Sequence, residues 1–530
     1  MAGEERWDFV VVGSGFGGSV SALRLVEKGY RVLMLEQGRR LGPGDFPRTN
    51  WNLKRWLWMP GVGFRGLFRM TFLRHVTALS GVGVGGGSLV YANTLPVPTD
   101  RFFAADSWGH LADWKRELEP HYATARRMLG AVPNPYVTRP DEVIRELAKD
   151  LGREDHVHPT EVAVYFGQPG VTVPDPFFDG QGPERTGCIQ CGGCMLGCRF
   201  GAKNTLDKNY LYLAEKLGLV IRADSQVVGI AREADGQGGY QIEVREGTRR
   251  WRRRRHLVRA DRVVLAGGVL GTVDLLLRMR AKGGGLPDLS PRVGDYVRTN
   301  SEVLMGVVSR RRDVDLSKGI AIGSILHTDE HSHIEPVRYP AGSGFFRTMM
   351  APHGPGSNAF SRLARAAGFA LRHPWRTLQT WLVPDWARFT MILLYMRTLE
   401  GHLRFKLGRP LRRFFRRGIT TELGDGPKPT AAIPEATDLG YRVAEKIDGY
   451  PTSMMTETLL GIPTTAHILG GCVMGEGPEA GVIDSQHRVH GYPGLYVIDG
   501  SAVSANPGVN PSLTICALAE RAMTFIPPRP

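Results

Sequence analysis

The sequence predicts an α/β fold in two domains, the first of them discontinuous along the chain. Three observations carry this reading. Residues 8–36 run strand, glycine turn, helix, strand, acid. A further strand (Leu495 to Asp499) and a helix from about Pro511 stand near the C-terminus, where they can complete the same sheet. The 530 residues exceed what one ordinary core accommodates.

In the first unit the apolar run Asp8 to Val12 is followed by GSGFGG. Gly13 permits a tight turn, and Gly15 lets the backbone approach a pyrophosphate. Gly18 lets a helix over Ser19 to Lys28 pack closely on the strand, with its free N–H groups facing phosphate. RVLMLE then ends in Glu36, eighteen residues past Gly18 and placed to bind ribose hydroxyls. This order is that of a Rossmann-like dinucleotide site, and an acid at position 36 disfavours a 2′-phosphate, so FAD or NAD is expected rather than NADP. A second cluster, SGVGVGGGSLVYAN, has five glycines between Gly81 and Gly87. With almost no side chains, such a loop can lie flat against a large planar ligand.

The net charge of +15 is uneven. Between Phe360 and Arg417 there are thirteen Lys and Arg against two acids, interleaved with Trp375, Trp381 and Trp386. This segment reads either as a peripheral contact with an anionic membrane surface or as a solvated helical face over a core stripe. The run RRWRRRRH, Arg249 to His256, lies between strand-like QIEVRE and VVLAGG and is expected at a hairpin tip. No nucleic-acid-binding motif surrounds it, and no nucleic-acid partner is expected. The start MAGEERWDF lacks a secretion signal, no run nears about 18 apolar residues, and the cysteine usage suits a reducing compartment. A cytoplasmic protein, in solution or peripheral to the membrane, is the expectation.

Four of the six cysteines fall in CIQCGGCMLGC, eleven residues from Cys188 to Cys198. The spacing C-x2-C-x2-C-x3-C is that of bacterial ferredoxins, except that Arg199 stands where those proteins have proline. A glycine-rich setting favours a structural role, as thiols or a disulfide shaping a loop, and no metal is assigned. An iron–sulfur cluster on Cys188, Cys191, Cys194 and Cys198 is the alternative, and zinc a third.

Nearly end to end, the chain resembles the glucose-methanol-choline (GMC) family of FAD oxidoreductases, and within it the sterol oxidases. The blocks are GSGFGGSVSALRL, GVGVGGGSLVYANT, GAKNTLDKNYL, VVLAGGVLGTVDLLLR, HIEPVRYPAG, AHILGGCVMG and DGSAVSANPGVNPSLTICALAERA. The resemblance implies FAD, held by Gly13, Gly15, Gly18, Glu36, Gly83, Gly86, Gly87, Ser88, Val227 through its backbone, Asp499, Gly500, Asn510 and Thr514. It also implies that His467 and Asn510 bind the substrate hydroxyl and that its proton is taken by His467 or by Glu335, the position of the base in sterol oxidases, with a salt bridge to Arg338 as the alternative for that carboxylate. No histidine stands between Ser88 and Phe103, so the flavin is expected to be noncovalent. Residues 1–100, 200–300 and 464–527 are expected to form the FAD domain. Residues 101–199 and 301–463 would form an α+β substrate-binding domain and lid with a mixed sheet. The implied activity is oxidation of a hydrophobic alcohol, a 3β-hydroxysteroid such as cholesterol first and a long-chain primary alcohol second, with O2 as acceptor. A non-enzymatic basic membrane-binding protein is the reading from another class.

Overall fold

The computed structural model describes all residues except 1–4, 234–237, 248–253, 284, 357, 410–416 and 426. The apolar run becomes strand β1 (Arg6–Val12), in which Phe9, Val10 and Val11 are fully buried, as a parallel strand covered on both faces requires. Helix α1 (Phe16–Glu27) starts at Phe16 rather than Ser19, and β2 (Val32–Leu35) pairs parallel with β1. A seven-stranded sheet grows around them in the order Val220–Arg222, β2, β1, Arg254–Leu265, Tyr240–Glu246, Ser225–Arg232. The C-terminal strand Leu495–Val497 joins in parallel beside Val263, Val264 and Leu265, so the far end of the chain does complete the N-terminal sheet.

Arg254–Leu265 serves different partners along its length. Its first residues pair antiparallel with Tyr240–Glu246 and its later ones parallel with β1. QIEVRE therefore forms a hairpin with residues 254–259, the stretch that runs on into VVLAGG. Most of the basic tip expected there, 249–253, lies outside the described residues.

A second seven-stranded sheet runs Met350–Pro352, Gly449–Met454, Val303–Ser309, Thr390–Arg397, Ser332–Val337, Ser324–His327, Val157–Pro159. Expected to be mixed, it is antiparallel at every pairing. Such a sheet can give its two faces different work, because side chains alternate along each strand. On one face Val303, Met305, Val307, Ile334, Met391 and Leu393 pack against the helices Arg139–Asp150 and Pro434–Lys446. The opposite face carries Leu304, Val337, Ile392, Leu394 and Met396, and it meets Ala92 and Met195. Ala92 lies five residues past Gly87, in the same block as the second glycine loop, so this apolar face looks toward the dinucleotide site.

The basic, aromatic segment divides in two. Trp386, Met391, Leu393 and Tyr395 are core residues, as the core-stripe reading requires. The helices Ala359–Arg372 and Pro374–Leu382 instead present Phe360, Leu371, Trp375 and Leu382 outward, with Leu371 83% and Trp375 74% exposed. Residues 410–416 lie outside the described residues. Among those described, no helix is long and apolar enough to cross a membrane.

Candidate active site

The two glycine loops pack backbone to backbone. Gly13 has φ +103°, and a Cβ there would lie 2.3 Å from the Ala266 carbonyl oxygen; one on Gly18 would meet the Gly13 carbonyl oxygen at 2.2 Å. Gly86 of the second loop has φ +53° and sits so close that its Cβ would fall 2.6 Å from Gly15 Cα. Gly87 faces the Phe16 ring, and Gly83 faces Leu89. Ser14 staples the arrangement: its hydroxyl donates to Glu36 Oε2 at 2.7 Å and accepts the Gly85 N–H at 3.1 Å. Burial raises the Glu36 pKa, a shift opposed by N–H donors from Gly38 and Ser14 and by the Ser14 hydroxyl. Gly15, by contrast, has open space where a Cβ would point, short of Ala266 at 4.0 Å. This geometry fits a pyrophosphate.

The other expected cofactor residues surround the same cradle. Val227 lies on Ser225–Arg232, beside the bulge between Val227 and Gly229; Ser225 N–H donates to the Glu36 carbonyl, which brings this strand to the acid. Ser88 Oγ is committed to the loop itself, donating to the Gly85 carbonyl and accepting the Leu206 N–H. The Asp499 carboxylate is likewise occupied, by Gly268 N–H, the Thr272 hydroxyl and Ser501, so Asp499 and Gly500 can meet a cofactor only through backbone. Thr514 bonds Tyr122 at 3.0 Å and lies in the first turn of the helix Ser512–Thr524, where backbone N–H groups have no helical acceptor. Asn93, which ends the second loop block, is fully buried in a left-handed conformation, and both polar atoms of its side chain lack a protein partner. A planar group bearing donors and acceptors is what this loop fits, and the residues accommodate FAD.

The residues expected at the substrate hydroxyl converge where that cradle meets the apolar sheet face. His467 Nδ1 lies 2.5 Å from Glu302 Oε2, and its Nε2 lies 3.5 Å from Asn510 Nδ2. Asn510 Nδ2 also reaches Glu335 Oε2 at 3.5 Å, while His333 Nε2 stands 3.6 Å from Glu335 Oε1. Asn510 Oδ1, Glu335 Oε1 and His333 Nε2 are buried without hydrogen-bond partners. Unsatisfied groups gathered at one point are costly unless a ligand completes them. The alternative salt bridge is not made: Arg338 pairs with Asp141 at 3.1 Å and leaves Glu335 to the site.

Glu302 and His333 escaped the sequence reading. Asn300 and Ser301 are consecutive left-handed residues (φ 60° and 45°), and they turn the chain so that Glu302 follows directly opposite His467. The backbone of Ala466 also donates to Glu302. Glu302 fixes the imidazole with its proton on Nδ1, leaving Nε2 as an acceptor toward the site. Burial opposes a charge on His467, but the carboxylates of Glu302 and Glu335 outweigh it and raise the pKa. A raised histidine pKa contributes stability below the ordinary value of about 6.5, and that contribution is lost as pH rises through the folded value. Activity that needs the free imidazole must run the other way, rising with pH. Glu302→Gln is expected to move this alkaline-rising limb of kcat/KM to lower pH and to reduce kcat, since the charge that stabilises the imidazolium is gone. Profiles of parent and variant between pH 5 and 9 test this, and an unmoved limb would contradict it.

A dinucleotide cradle that fits FAD and an imidazole, amide and carboxylate set for a hydroxyl define an FAD-dependent alcohol oxidoreductase. Two models described as GMC oxidoreductase match residues 183–285 and 420–519, and an NAD(P)-binding Rossmann-like domain model matches residues 11–49. A cholesterol oxidase of Acinetobacter baumannii is 43% identical, over 98% of this chain and 94% of its own. A cholesterol oxidase of Mycobacterium tuberculosis is 47% identical, over 98% and 91%. The chain belongs to the GMC oxidoreductase family. In fold it resembles the crystal structure of pyridoxine 4-oxidase from Mesorbium loti, with a TM-score of 0.64 at 18% identity, covering 98% of this chain and 99% of the other.

Proposed function

We propose that this enzyme oxidises the 3β-hydroxyl of a steroid such as cholesterol to the ketone, with O2 as the electron acceptor. The observation that carries the reading is the setting of the polar groups. Asn510, Glu335 and His467 stand at the edge of a sheet face made of Leu304, Val337, Ile392, Leu394 and Met396, which suits an apolar body with one hydroxyl. Asn510 donates to the hydroxyl oxygen and orients the carbinol. His467 Nε2 takes the hydroxyl proton, and Glu302 stabilises the imidazolium that forms. When bound, FAD supplies the acceptor for the hydride leaving the carbinol carbon, and passing both electrons to O2 yields hydrogen peroxide. A long-chain primary alcohol is the second reading, since the same face can lie along an alkyl chain. A panel of sterols and C4 to C16 alcohols with peroxide detection tests both. Turnover confined to short or polar alcohols would overturn the proposal, and flavin reduction without peroxide would remove O2 from it.

Glu335 extends the proposal to isomerisation. Moving the double bond of a 3-oxo-5-ene steroid into conjugation requires a carboxylate to carry a proton from C4 to C6. Glu335→Gln is expected to release the unisomerised ketone while retaining part of the oxidation, read by chromatography of products. Full isomerisation by the variant would exclude the role.

The substrate's solubility points to where it is met. The exposed Phe360, Leu371, Trp375 and Leu382 lie on helices carrying Arg362, Arg365, Arg372 and Arg376 and no acid. Arg362 is turned inward to the Thr458 carbonyl, which ties these helices to a segment only nine residues before His467. Docking on an anionic membrane places aromatic side chains at the interface and cations at the headgroups. Binding to anionic vesicles should fall steeply with salt, given screening over about 8 Å at physiological ionic strength. Equal binding to neutral vesicles would argue against an electrostatic contribution.

A further inference from the structure

We infer that the chain holds an iron–sulfur cluster on Cys188, Cys191, Cys194 and Cys198, at a site separate from the residues that handle the hydroxyl. All four are free thiols, so the disulfide considered from sequence is not formed. They line one cavity of about 400 Å³.

The loop is shaped around the void. Gln190, Gly192 and Gly197 are left-handed (φ 55°, 68° and 80°), which curls the backbone between successive cysteines. A peptide N–H is aimed at one of the sulfurs: Gln190 donates to Cys188 Sγ at 3.4 Å. Such hydrogen bonds are among the means by which a protein sets the properties of a cluster. The charged residues on the cavity wall are Arg48, Arg199, Lys203 and Lys318; among the described residues no carboxylate lines it. That balance suits an occupant made anionic by four thiolates.

Among the described residues no three Cys, His, Asp or Glu side chains group closely enough to hold a single metal ion. A cubane needs a wider cage, since each thiolate binds a different iron atom at a separate corner. The spacing is the ferredoxin one, with the difference that in two-cluster ferredoxins the fourth cysteine of the run ligates the other cluster, whereas here all four line one cavity. The cavity also adjoins the flavin cradle, because the Lys203 ammonium donates both to the Cys194 carbonyl at 2.7 Å and to that of Leu89, next to Ser88, at 3.1 Å.

The test uses the full chain, purified without oxygen and then incubated with ferrous iron, sulfide and a thiol reductant. About four iron atoms and four acid-labile sulfides per chain are expected, with a broad absorption beneath the flavin bands that dithionite bleaches. The double variant Cys191→Ala/Cys194→Ala should lose iron and sulfide together while retaining FAD, which shows that it still folds. Should it not fold, a paramagnetic resonance signal from the dithionite-reduced parent carries the same information. Iron at background after incubation overturns the inference, as does stoichiometric zinc in its place, or a disulfide among these cysteines in protein kept under reductant.

Discussion

His467→Ala is expected to lower alcohol oxidation by about 100- to 10,000-fold while the protein still binds FAD. The imidazole is the group whose free nitrogen faces Asn510 and whose other nitrogen is fixed by Glu302, so removing it takes away the acceptor for the hydroxyl proton and leaves the buried Glu302 without its charge partner. It has no part in the glycine loops, whose contacts run through Ser14, Glu36 and Gly85. The flavin spectrum and FAD stoichiometry should therefore be those of the parent. A steady-state comparison on the best alcohol of the panel, with stopped-flow flavin reduction, separates loss of chemistry from loss of binding. Activity within threefold of the parent would remove His467 from the mechanism.

The same site shows what a sequence can and cannot carry. β1, α1 and β2 were legible because turn, helix and acid follow one another locally, and the C-terminal strand because a strand, a turn-rich loop and a helix again follow one another there. His467, Asn510 and Glu335 were legible only through their motifs. Glu302 was not, because it reaches His467 across 165 residues of sequence, through left-handed turns at Asn300 and Ser301 that no glycine announces. Asp499 was legible as conforming to a motif, yet both its oxygens turn out to be occupied within the protein. The segment from Phe360 shows the same limit in another form. Its composition is uniform in kind, but residues 390–397 pair on both sides within a sheet and become core, whereas the preceding helices leave their apolar residues outside. Composition cannot tell these apart, because burial is decided by partners distant in sequence.

Gly86→Ala is expected to cost the protein its cofactor. The substitution adds one methyl group, which would lie 2.6 Å from Gly15 Cα and 3.0 Å from Gly15 N. Both neighbours are backbone atoms, so no rotamer change relieves the clash. The left-handed conformation of Gly86 adds about 1 kcal/mol or more for a residue with a Cβ. The two loops must then separate at Gly15, the residue expected to face the pyrophosphate, breaking the Ser14 bridge between Glu36 and Gly85. Each tenfold loss of affinity corresponds to about 1.4 kcal/mol, and a displaced loop forfeits several contacts at once, so purified Gly86→Ala should carry less than about a tenth of the parent's FAD. Gly44→Ala is the matched control, since nothing lies within 4 Å of its Cβ position; it should purify with the parent's flavin content. The measurement is the ratio of flavin to protein absorbance after gel filtration, with thermal melting in added FAD to show that the variant is folded. A Gly86→Ala protein with a full complement of FAD would mean that the loops do not need their observed contact to form the cradle.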